Sequence, residues 1–600
     1  MKKSEKVLLT VALLGSPVMT QAKKTQTVQK KKPNVIIVIT DDQGKNDLAC
    51  EGNPYIKTPH IDTFYGESVR FTNFHVSTTS APSRSSIMTG RHTDRLNCYH
   101  TIAGRSIVFG DEVFLPQILA QNGYRTGMFG KWHLGDNYPS RAMDKGFQTV
   151  VRHGGGGITQ TPDYWNNDYF DDSYWTNGTP KKYTGYCTDV FFHEAMKFIK
   201  AQKDKDNPFF CYLSTNAPHG PHNVPLKYLD MYSSNTKIPA SLQRMYGMIT
   251  NIDDNFKILR DNLEEWGLAE NTILIFMTDN GTAGGQKLYT AGMKGQKGSE
   301  YEGGHRTPFY IKWPAGHIGG GKDINRLTAH YDILPTLIDL IGLHYHSVKP
   351  LDGKSWVPLL KGQDKAWKNR ILFMDTQRKI DLCKYKQYSV MDDNWRLVNG
   401  NELYDMRNDL AETHNVYQEH PEVAARLAEG YEKWWSSILS EKVDQRFAYI
   451  IAGTKYENPV RLTAHDLHTG KLKSAWNQNG VRLPQPVQGV WKIQFATTGT
   501  YKISLRRFPR VSGLGINAIV PAQKPDRRFE TLYQASTKND FTSVFLNVGS
   551  ITKEADIKPT DQEISFIVNI PEGKYDMEAQ LIDREGRVYP AYYTYVEKLD

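Results

Sequence analysis

The sequence predicts an α/β fold for the first part of the chain, followed by a smaller α+β unit and an all-β unit. Residues 34–40 (NVIIVIT) form a near-continuous β-branched run, as in the buried strands of parallel sheets. A similar run at 272–278 (TILIFMT) follows a segment, 241–267, whose apolar residues recur every three or four positions up to a terminal glycine. A helix that leads into a buried strand is one step of an α/β crossover, so we expect this architecture over residues 33–365.

Two further units are predicted after the α/β part. Asn399 and Gly400 lie between apolar flanks, which indicates a hairpin, and residues 421–439 have helical periodicity. Together they predict a small α+β unit at 366–445. From 447 to 600 the chain shows short runs of alternating polarity, which predict a β-sandwich-like accessory module.

Composition bounds the class of protein. The chain has 600 residues, more than one hydrophobic core usually serves, and 39% of them are hydrophobic, which is typical of folded domains. The net charge is +9, but seven of these charges lie within residues 1–32, so the rest of the chain is nearly balanced and nothing indicates nucleic-acid binding. Five scattered cysteines without zinc-ligand spacing predict structural roles and at most one or two disulfides.

The first 22 residues have the pattern of a secretory signal peptide. Three lysines precede an apolar run at 7–14, and small residues end the segment at Ala22. That run is shorter than the roughly 20 residues of a membrane-spanning helix. We therefore expect an exported protein, periplasmic or extracellular, with no membrane span.

A long insertion at 151–187 is rich in tyrosine and tryptophan and has little helical or strand periodicity. Long loops inside compact domains are commonly functional. Its aromatic rings, with asparagine and aspartate beside them, suit stacking on sugars and hydrogen bonds to hydroxyls. The alternative is that the rings only fasten the loop to the core, and the sequence leaves both open.

Matching polar pairs follow the two β-branched runs. Asp41 and Asp42 come directly after the first, and Asp279 and Asn280 after the second. Ligands bind beyond the carboxyl ends of strands in doubly wound sheets. One such pair alone is better explained by a turn, because Asp and Asn often end strands. Two pairs together predict four hard oxygen ligands, which suit Ca²⁺ or Mg²⁺ better than zinc.

A serine-rich segment with nearby cations supplies the remaining candidates. Ser80 begins SAPSR, a segment predicted to be a turn, and no G-x-S-x-G motif exists to support an esterase. Cationic groups around a metal suit a small tetrahedral oxyanion, either sulfate or phosphate. The candidates for this chemistry are Ser80, Arg84, Lys131, His133, His219 and Lys297.

In order along residues 33–445, these motifs resemble the formylglycine-dependent type I sulfatases of the alkaline phosphatase superfamily. The matching elements are the strand with its aspartate pair, S-x-P-S-R with a downstream TGR, GKWHLG, APH, TDNG and KGxxxEGG. The resemblance implies an alkaline-phosphatase-like mixed sheet flanked by helices, with a smaller C-terminal subdomain. Residues beyond about 447 lie outside the common pattern.

The resemblance also implies the chemistry of each position. Ser80 would be converted to Cα-formylglycine by an anaerobic radical-type maturase and would hydrate to a diol. Ca²⁺ would be held by Asp41, Asp42, Asp279, Asn280 and the modified residue 80. Arg84 and Lys131 would stabilise the diol, and His133 would help to break the sulfated hemiacetal. His219 and Lys297 would bind sulfate and assist protonation of the departing alkoxide. The candidates for substrate binding are His222, His305 and Arg306.

The sequence leads to an expected substrate and to two alternative functions. In a sulfatase, an aromatic insertion and an extra β unit point to a carbohydrate substrate. On the resemblance, we expect exo-action on sulfated galactose or N-acetylgalactosamine of mucin, glycosaminoglycan or algal glycans. One alternative is a phosphomonoesterase or phosphodiesterase of the same superfamily that uses unmodified Ser80. It is disfavoured because such relatives hold zinc with several histidines. Another is a non-catalytic glycan-binding protein. The sequence does not indicate the oligomeric state.

Overall fold

A ten-stranded mixed sheet is the framework of the first part of the chain. The computed structural model describes residues 31–470 and 474–599, so the predicted signal peptide lies outside the described residues. The strands of this part are β1 (Asn34–Thr40), β2 (Val69–Phe71), β3 (Phe74–His75), β4 (Arg125–Gly130), β5 (Thr149–Arg152), β6 (Ser173–Thr176), β7 (Thr179–Lys182), β8 (Phe209–Ser214), β9 (Thr272–Thr278), β10 (Phe309–Lys312), β11 (Lys322–Ile324) and β12 (Thr328–Ala329).

The sheet has the order β11-β2-β10-β9-β1-β8-β4-β5-β6-β7, and β3 pairs with β12 separately. Strands β9, β1, β8, β4 and β5 are mutually parallel, whereas β10 runs antiparallel to β9. The two β-branched runs are therefore neighbouring central strands, and β1 is buried along all but its first residue. The predicted α/β mixed sheet is confirmed.

Helices cover the sheet. They are α1 (Pro59–Glu67), α2 (Ser80–Thr89), α3 (Leu115–Gln121), α4 (Cys187–Lys200), α5 (Leu226–Leu229), α6 (Ala240–Glu265), α7 (Glu302–His305), α8 (Ile333–Ile341) and α9 (Val357–Leu360). Helix α6 agrees with the periodic segment that precedes β9. The prediction of a turn at SAPSR is wrong, because Ser80 is the first residue of α2. Pro82 lies in the first helical turn, where the missing N–H of proline costs no hydrogen bond.

The aromatic insertion is more regular than its sequence suggested. Strands β6 and β7 within it form a hairpin that extends the edge of the large sheet. Asn177 and Gly178 connect the strands, and both have positive φ, at 47° and 89°. Asn-Gly is the dipeptide that favours this kind of two-residue turn, so a local signal for the hairpin was present in the sequence.

A four-stranded antiparallel sheet follows. Its strands are β13 (Leu372–Asp375), β14 (Tyr388–Met391), β15 (Trp395–Val398) and β16 (Glu402–Asp405), and helix α10 (Pro421–Leu439) packs on it. The predicted Asn399-Gly400 hairpin joins β15 to β16. The predicted small α+β unit is therefore present.

The last part of the chain consists almost entirely of strands. A seven-stranded and a four-stranded sheet share one apolar core, which also includes Trp165 of the insertion. The elements are β17 (Ile450–Ala452), β18 (Val460–Thr463), β19 (His468–Thr469), α11 (Gln478–Arg482), β20 (Gly489–Phe495), β21 (Gly499–Arg506), β22 (Phe541–Val548), β23 (Ile551–Asp556), β24 (Ile564–Ile570), β25 (Gly573–Asp583), β26 (Val588–Pro590) and β27 (Tyr593–Lys598). The predicted all-β addition is confirmed, while its boundary at 447 stays a prediction.

Two general features complete the description. All five cysteines are free, and three of them, Cys98, Cys187 and Cys211, are buried. Within the described residues, no helix combines the length and apolar character needed to cross a membrane.

Candidate active site

Four neighbouring parallel strands deliver the predicted site residues to one edge of the large sheet. Strands β1 and β9 are paired with Thr40 opposite Thr278, so Asp41-Asp42 and Asp279-Asn280 leave the sheet side by side. Strand β8 leads into the loop that carries His219, and β4 ends directly before Lys131. The carboxyl ends of parallel strands are where α/β sheets place ligand-binding groups.

Ser80 lies at the centre of these strand ends. Its Oγ is 3.0 Å from Oδ1 of Asp41 and 3.2 Å from Oδ1 of Asn280. The Asn280 amide also donates to Oδ1 of Asp42 at 3.0 Å. Ser80 is 1% exposed. Helix α2 thus presents its first hydroxyl to an oxygen-rich cluster formed by two strands.

Three cations hold the acidic groups. Arg84, one turn after Ser80 on α2, donates to Oδ2 of Asp279 from Nε at 3.1 Å and from Nη2 at 2.8 Å. Lys131 donates to Asp41, and Lys297 donates to Oδ2 of Asp42 at 2.7 Å. Each carboxylate therefore has its own cationic partner.

The buried charges shift one another's pKa values. Burial, together with the charge of Asp279, raises the pKa of Asp41 to about 8. Burial opposes ionisation of Asp42, but Lys297 holds its pKa well below its usual range. Burial also lowers the pKa of Lys131. Such perturbed groups in contact with one another are characteristic of functional sites.

The donor set fits a hard divalent cation. Asp41, Asp42 and Asp279 are all buried, and each offers a carboxylate oxygen within 4.8 Å of the others. The Asn280 carbonyl, which accepts from Ser80, adds a fourth oxygen to this cluster. Oxygen donors without histidine are the ligands that Ca²⁺ and Mg²⁺ prefer. This group of carboxylates contains none of the histidines that a two-zinc phosphoesterase site would need.

Two histidines lie at the site in neutral form. Burial lowers the pKa of His219 to about 3, and its Nδ1 donates to the Gly220 carbonyl at 2.6 Å, which leaves Nε2 without a proton, 3.9 Å from Oδ2 of Asp42. Nε2 of His133 donates to the carbonyl of Thr101 at 2.9 Å. Its Nδ1 is buried without a hydrogen-bond partner among the described residues.

A glycine run fits closely against both rings. A Cβ built on Gly156 would lie 2.3 Å from Nε2 of His133, and one on Gly157 would lie 3.4 Å from Nδ1 of His219. Any side chain at Gly156 would therefore collide with the imidazole. The approach of the backbone to His133 therefore explains the glycine at position 156.

Backbone strain is concentrated at two of the same residues. Asp42 has φ of 64° and His133 has φ of 61°, both in the left-handed region. This conformation is uncommon for residues other than glycine and persists where the surrounding structure fixes it. The surrounding structure thus holds the Asp42 carboxylate and the His133 imidazole in orientations that an unstrained backbone would not give them.

The three predicted substrate-binding residues are placed differently. His222 is partly exposed, with Nδ1 3.0 Å from Oε1 of Glu530, and its Nε2 has no hydrogen-bond partner in the described part of the chain. His305 is 1% exposed, and its ring nitrogens contact the His75 ring at 2.9 Å and the Glu300 carbonyl at 3.0 Å. In neither histidine is a ring nitrogen both unpaired and open to solvent, because Nε2 of His222 is buried.

Arg306 also has its hydrogen bonds within the protein. Its Nε donates to the Thr72 carbonyl at 2.9 Å, and its Nη1 donates to Oε2 of Glu302 at 3.0 Å. The structure therefore gives no support to sugar contacts by His305 and Arg306. Both belong to a buried network in which Arg396 donates to Glu302 and to Asn73 at 3.0 Å.

Sequence reasoning missed several residues around the site. Glu530 orients His222 from 308 positions away, which no local pattern reveals. Trp476 lies with His219 at the wall of one cleft, again from a distant segment. Arg378 comes from the loop after β13, and its guanidinium carbon is 3.7 Å from a Cβ built on Gly298, next to Lys297. The local sequence signal near the site was the glycine run at 154–157, which lies beside His133 and His219.

Comparisons with known proteins agree with this geometry. A family model described as Sulfatase matches residues 33–343, and one described as N-sulphoglucosamine sulphohydrolase, C-terminal, matches residues 296–434. N-acetylgalactosamine-6-sulfatase of Mus musculus is 29% identical over 414 residues, which cover 64% of this chain and 76% of that relative. Ulvan-active sulfatase of Formosa agariphila is 28% identical over 382 residues, which cover 59% and 70%.

A solved structure is similar over most of the same length. The crystal structure of Ps i-CgsB in complex with k-i-k-neocarrahexaose has 27% sequence identity and a TM-score of 0.62, and it covers 70% of this chain and 95% of its own. Both family models end before residue 447. The two C-terminal β-sheets therefore lie outside the matched family regions.

Proposed function

This chain belongs to the sulfatase family and is a sulfuric ester hydrolase, and we propose that it removes sulfate from carbohydrates at a centre built around Ser80. The observation that carries the proposal is the contact of Ser80 Oγ with Asp41 and Asn280 inside a cluster of acidic oxygens and cations. A serine so placed is surrounded by groups that bind both a metal and an anion.

Two groups supplied after synthesis complete the proposed centre. Oxidation of Ser80 to formylglycine by a dedicated maturase would supply an aldehyde whose hydrate offers a second hydroxyl. Calcium, held by Asp41, Asp42, Asp279 and Asn280, would make a hydroxyl at position 80 more acidic. The all-oxygen donor set supports calcium, and the S-x-P-S-R sequence at 80–84 supports the modification.

The protein's own side chains bind the ester and handle the protons. Lys131 and Lys297 place ammonium groups beside the cluster, where they stabilise the negative charge of a sulfate. Nε2 of His219 faces the same region, and a bound sulfate anion would raise its affinity for a proton that it can pass to the departing oxygen. The free Nδ1 of His133 is a proton acceptor for the group at position 80.

Carbohydrate as the substrate class is supported by the names of the relatives. Two similar proteins are named for N-acetylgalactosamine 6-sulfate and for ulvan, and the similar solved structure holds a neocarrahexaose. We favour exo-action on sulfated galactose or N-acetylgalactosamine. The predicted signal peptide supports export to the periplasm or the medium, where such glycans are degraded.

Parallel assays of sulfate and phosphate esters test this function. The full chain, coexpressed with an anaerobic radical-type maturase, is assayed on 4-nitrocatechol sulfate, on a panel of regiospecifically sulfated galactose and N-acetylgalactosamine, and on 4-nitrophenyl phosphate. We expect turnover of the aryl sulfate and of at least one sugar sulfate, with much slower phosphate release. A preference for the phosphate ester, or no release from any sugar sulfate, would contradict the proposal.

A further inference from the structure

A cleft next to His219 is built from two distant parts of the chain. Its volume is about 240 Å³. Residues 158–160 and Asp168 of the aromatic insertion form one wall, and the C-terminal unit forms the other with Trp476, Asn477, Asn479, Gln523 and residues 531–533. Because His219 is the proposed proton donor to the departing oxygen, this cleft adjoins the position of the alcohol that leaves.

Specific hydrogen bonds fix the C-terminal wall against the insertion. Gln160 and Asn477 form a β-bridge, and the backbone N–H of Gln478 donates to the Thr159 carbonyl at 3.0 Å. Gln523 donates from Nε2 to Oδ2 of Asp168 at 2.7 Å. These contacts belong to an ordered wall, so its side chains keep a defined position relative to the insertion.

The same wall also holds the loop that carries His219. The Val224 N–H donates to the Arg528 carbonyl at 3.0 Å, and the Glu530 N–H donates to Oδ1 of Asn223 at 2.9 Å. Glu530 in turn accepts from the backbone N–H of His222 at 2.6 Å. The C-terminal unit thus supports the catalytic loop within five residues of His219.

The chemical character of the cleft is that of a site for a neutral polyol. Apart from His219, the ionisable side chains among the described lining residues are the Asp168 carboxylate and the phenol of buried Tyr533, and none of these described residues is a lysine or arginine. Trp476 is 41% exposed, a large apolar face left open to solvent at the cleft wall. An indole face with amides and hydroxyls around it matches one face of a pyranose ring and its hydroxyl groups. A volume of about 240 Å³ is below the roughly 300–1,000 Å³ of drug-sized ligand pockets and suits a single sugar.

We propose that this cleft binds the sugar that bears the scissile sulfate, that Trp476 stacks on its ring, and that the sugar is an uncharged hexose or N-acetylhexosamine. The C-terminal β unit is then part of the active-site cleft. The site's cations Lys131 and Lys297 lie at the sulfate end, while Asp168 disfavours a carboxylate or a second sulfate in the cleft. The inference rests on the proposed carbohydrate sulfatase activity.

Substitution of Trp476 tests the inference. In Trp476→Ala we expect KM for the preferred sugar sulfate to rise about tenfold, which corresponds to about 1.4 kcal/mol, because the variant loses the indole face on which the sugar ring stacks. Trp476→Phe keeps an aromatic face and should recover most of the loss. The ratio of kcat/KM for the sugar sulfate to that for 4-nitrocatechol sulfate should fall in the alanine variant.

The matched control is Tyr456→Ala, which removes another exposed aromatic residue, 56% exposed, from the C-terminal unit outside the cleft. The parent enzyme should also prefer a sulfated neutral hexose to a sulfated uronic acid. An unchanged KM in Trp476→Ala, an equal loss on both substrates, or a preference for the uronic acid would overturn the inference. Turnover of the aryl sulfate without turnover of any sugar sulfate would instead overturn the proposed carbohydrate function.

Discussion

Two buried clusters of possible metal ligands lie in the described part of the chain, and they differ in whether a ligand can reach them. In the first, Asp41, Asp42 and Asp279 surround Ser80, and His219 connects the cluster to an open cleft. In the second, His75, Glu302 and His305 offer an equally compact set of possible ligands. Burial alone does not distinguish the two sets of possible ligands, although only the second set contains histidines.

The second cluster is closed by its own hydrogen bonds. Arg396 and Arg306 pair with Glu302, and the rings of His75 and His305 contact each other at 2.9 Å. Together, the arginines hold the pKa of Glu302 well below its usual range despite burial. The carboxylates of the first cluster also pair with cations, but that cluster keeps an unpartnered His133 nitrogen and access through His219. Available atoms and access, in addition to charge, identify the active site.

The largest expected effect is the loss of the hydroxyl in the first cluster. Ser80→Ala removes the group that contacts Asp41 and Asn280, so we expect activity on 4-nitrocatechol sulfate to fall by at least about a thousandfold. Ser86→Ala is the matched control on the same helix, because the Ser86 hydroxyl has no hydrogen-bond partner among the described residues. Equal activity in the two variants would contradict the assignment of Ser80.

In the second cluster, removal of the arginine that pairs with the buried carboxylate should lower stability. Arg396→Met leaves Glu302 buried without its main cationic partner, so we expect the free energy of unfolding to fall by about 3–5 kcal/mol. Urea denaturation measures this, and the folded fraction should keep turnover of the aryl sulfate. Arg407→Met removes an exposed pair with Asp405 and should leave the midpoint unchanged. A fully stable Arg396→Met protein would show that the cluster is not a structural support.

Calcium should distinguish the clusters directly. Chelation should abolish sulfatase activity, and added Ca²⁺ should restore it and stabilise the fold by about 2.7 kcal/mol at a hundred times its Kd. Thermal unfolding with and without Ca²⁺ measures the shift. We expect Asp42→Asn to lose this shift and His305→Gln to retain it. The reverse pattern would assign the metal to the second cluster.

A smaller effect is expected from the glycine run behind the first cluster. In Gly156→Ala the new methyl group would meet the ring of His133 at 2.3 Å, and the displaced imidazole should lower kcat by about ten- to a hundredfold. The control is Gly66→Ala, where a Cβ meets nothing within 4 Å. Steady-state kinetics at saturating aryl sulfate measure kcat of both variants. A kcat equal to that of the parent in Gly156→Ala would contradict the prediction, because it would mean that catalysis does not depend on the position of the His133 ring.

Much of the first cluster could be predicted from sequence because its parts follow strong local patterns. The β-branched strands fix where Asp41 and Asp279 emerge, and strand pairing then brings them together. The sequence was less informative about residues whose surroundings come from distant segments. His305 follows a motif glycine, but its burial against His75 is set by a contact 230 positions away. Trp476 at the cleft and Glu530 beside His222 come from the distant C-terminal unit, so no local periodicity indicated them.

The mass of the peptide that contains residue 80 tests the central claim most directly. Protein from a host with the anaerobic maturase, or from the native source, is digested and the peptide's mass is compared with that of the encoded sequence. We predict a fraction that is two hydrogens lighter than the serine form, with sulfatase activity proportional to that fraction across preparations. Full activity in protein that contains only serine at position 80 would contradict the account.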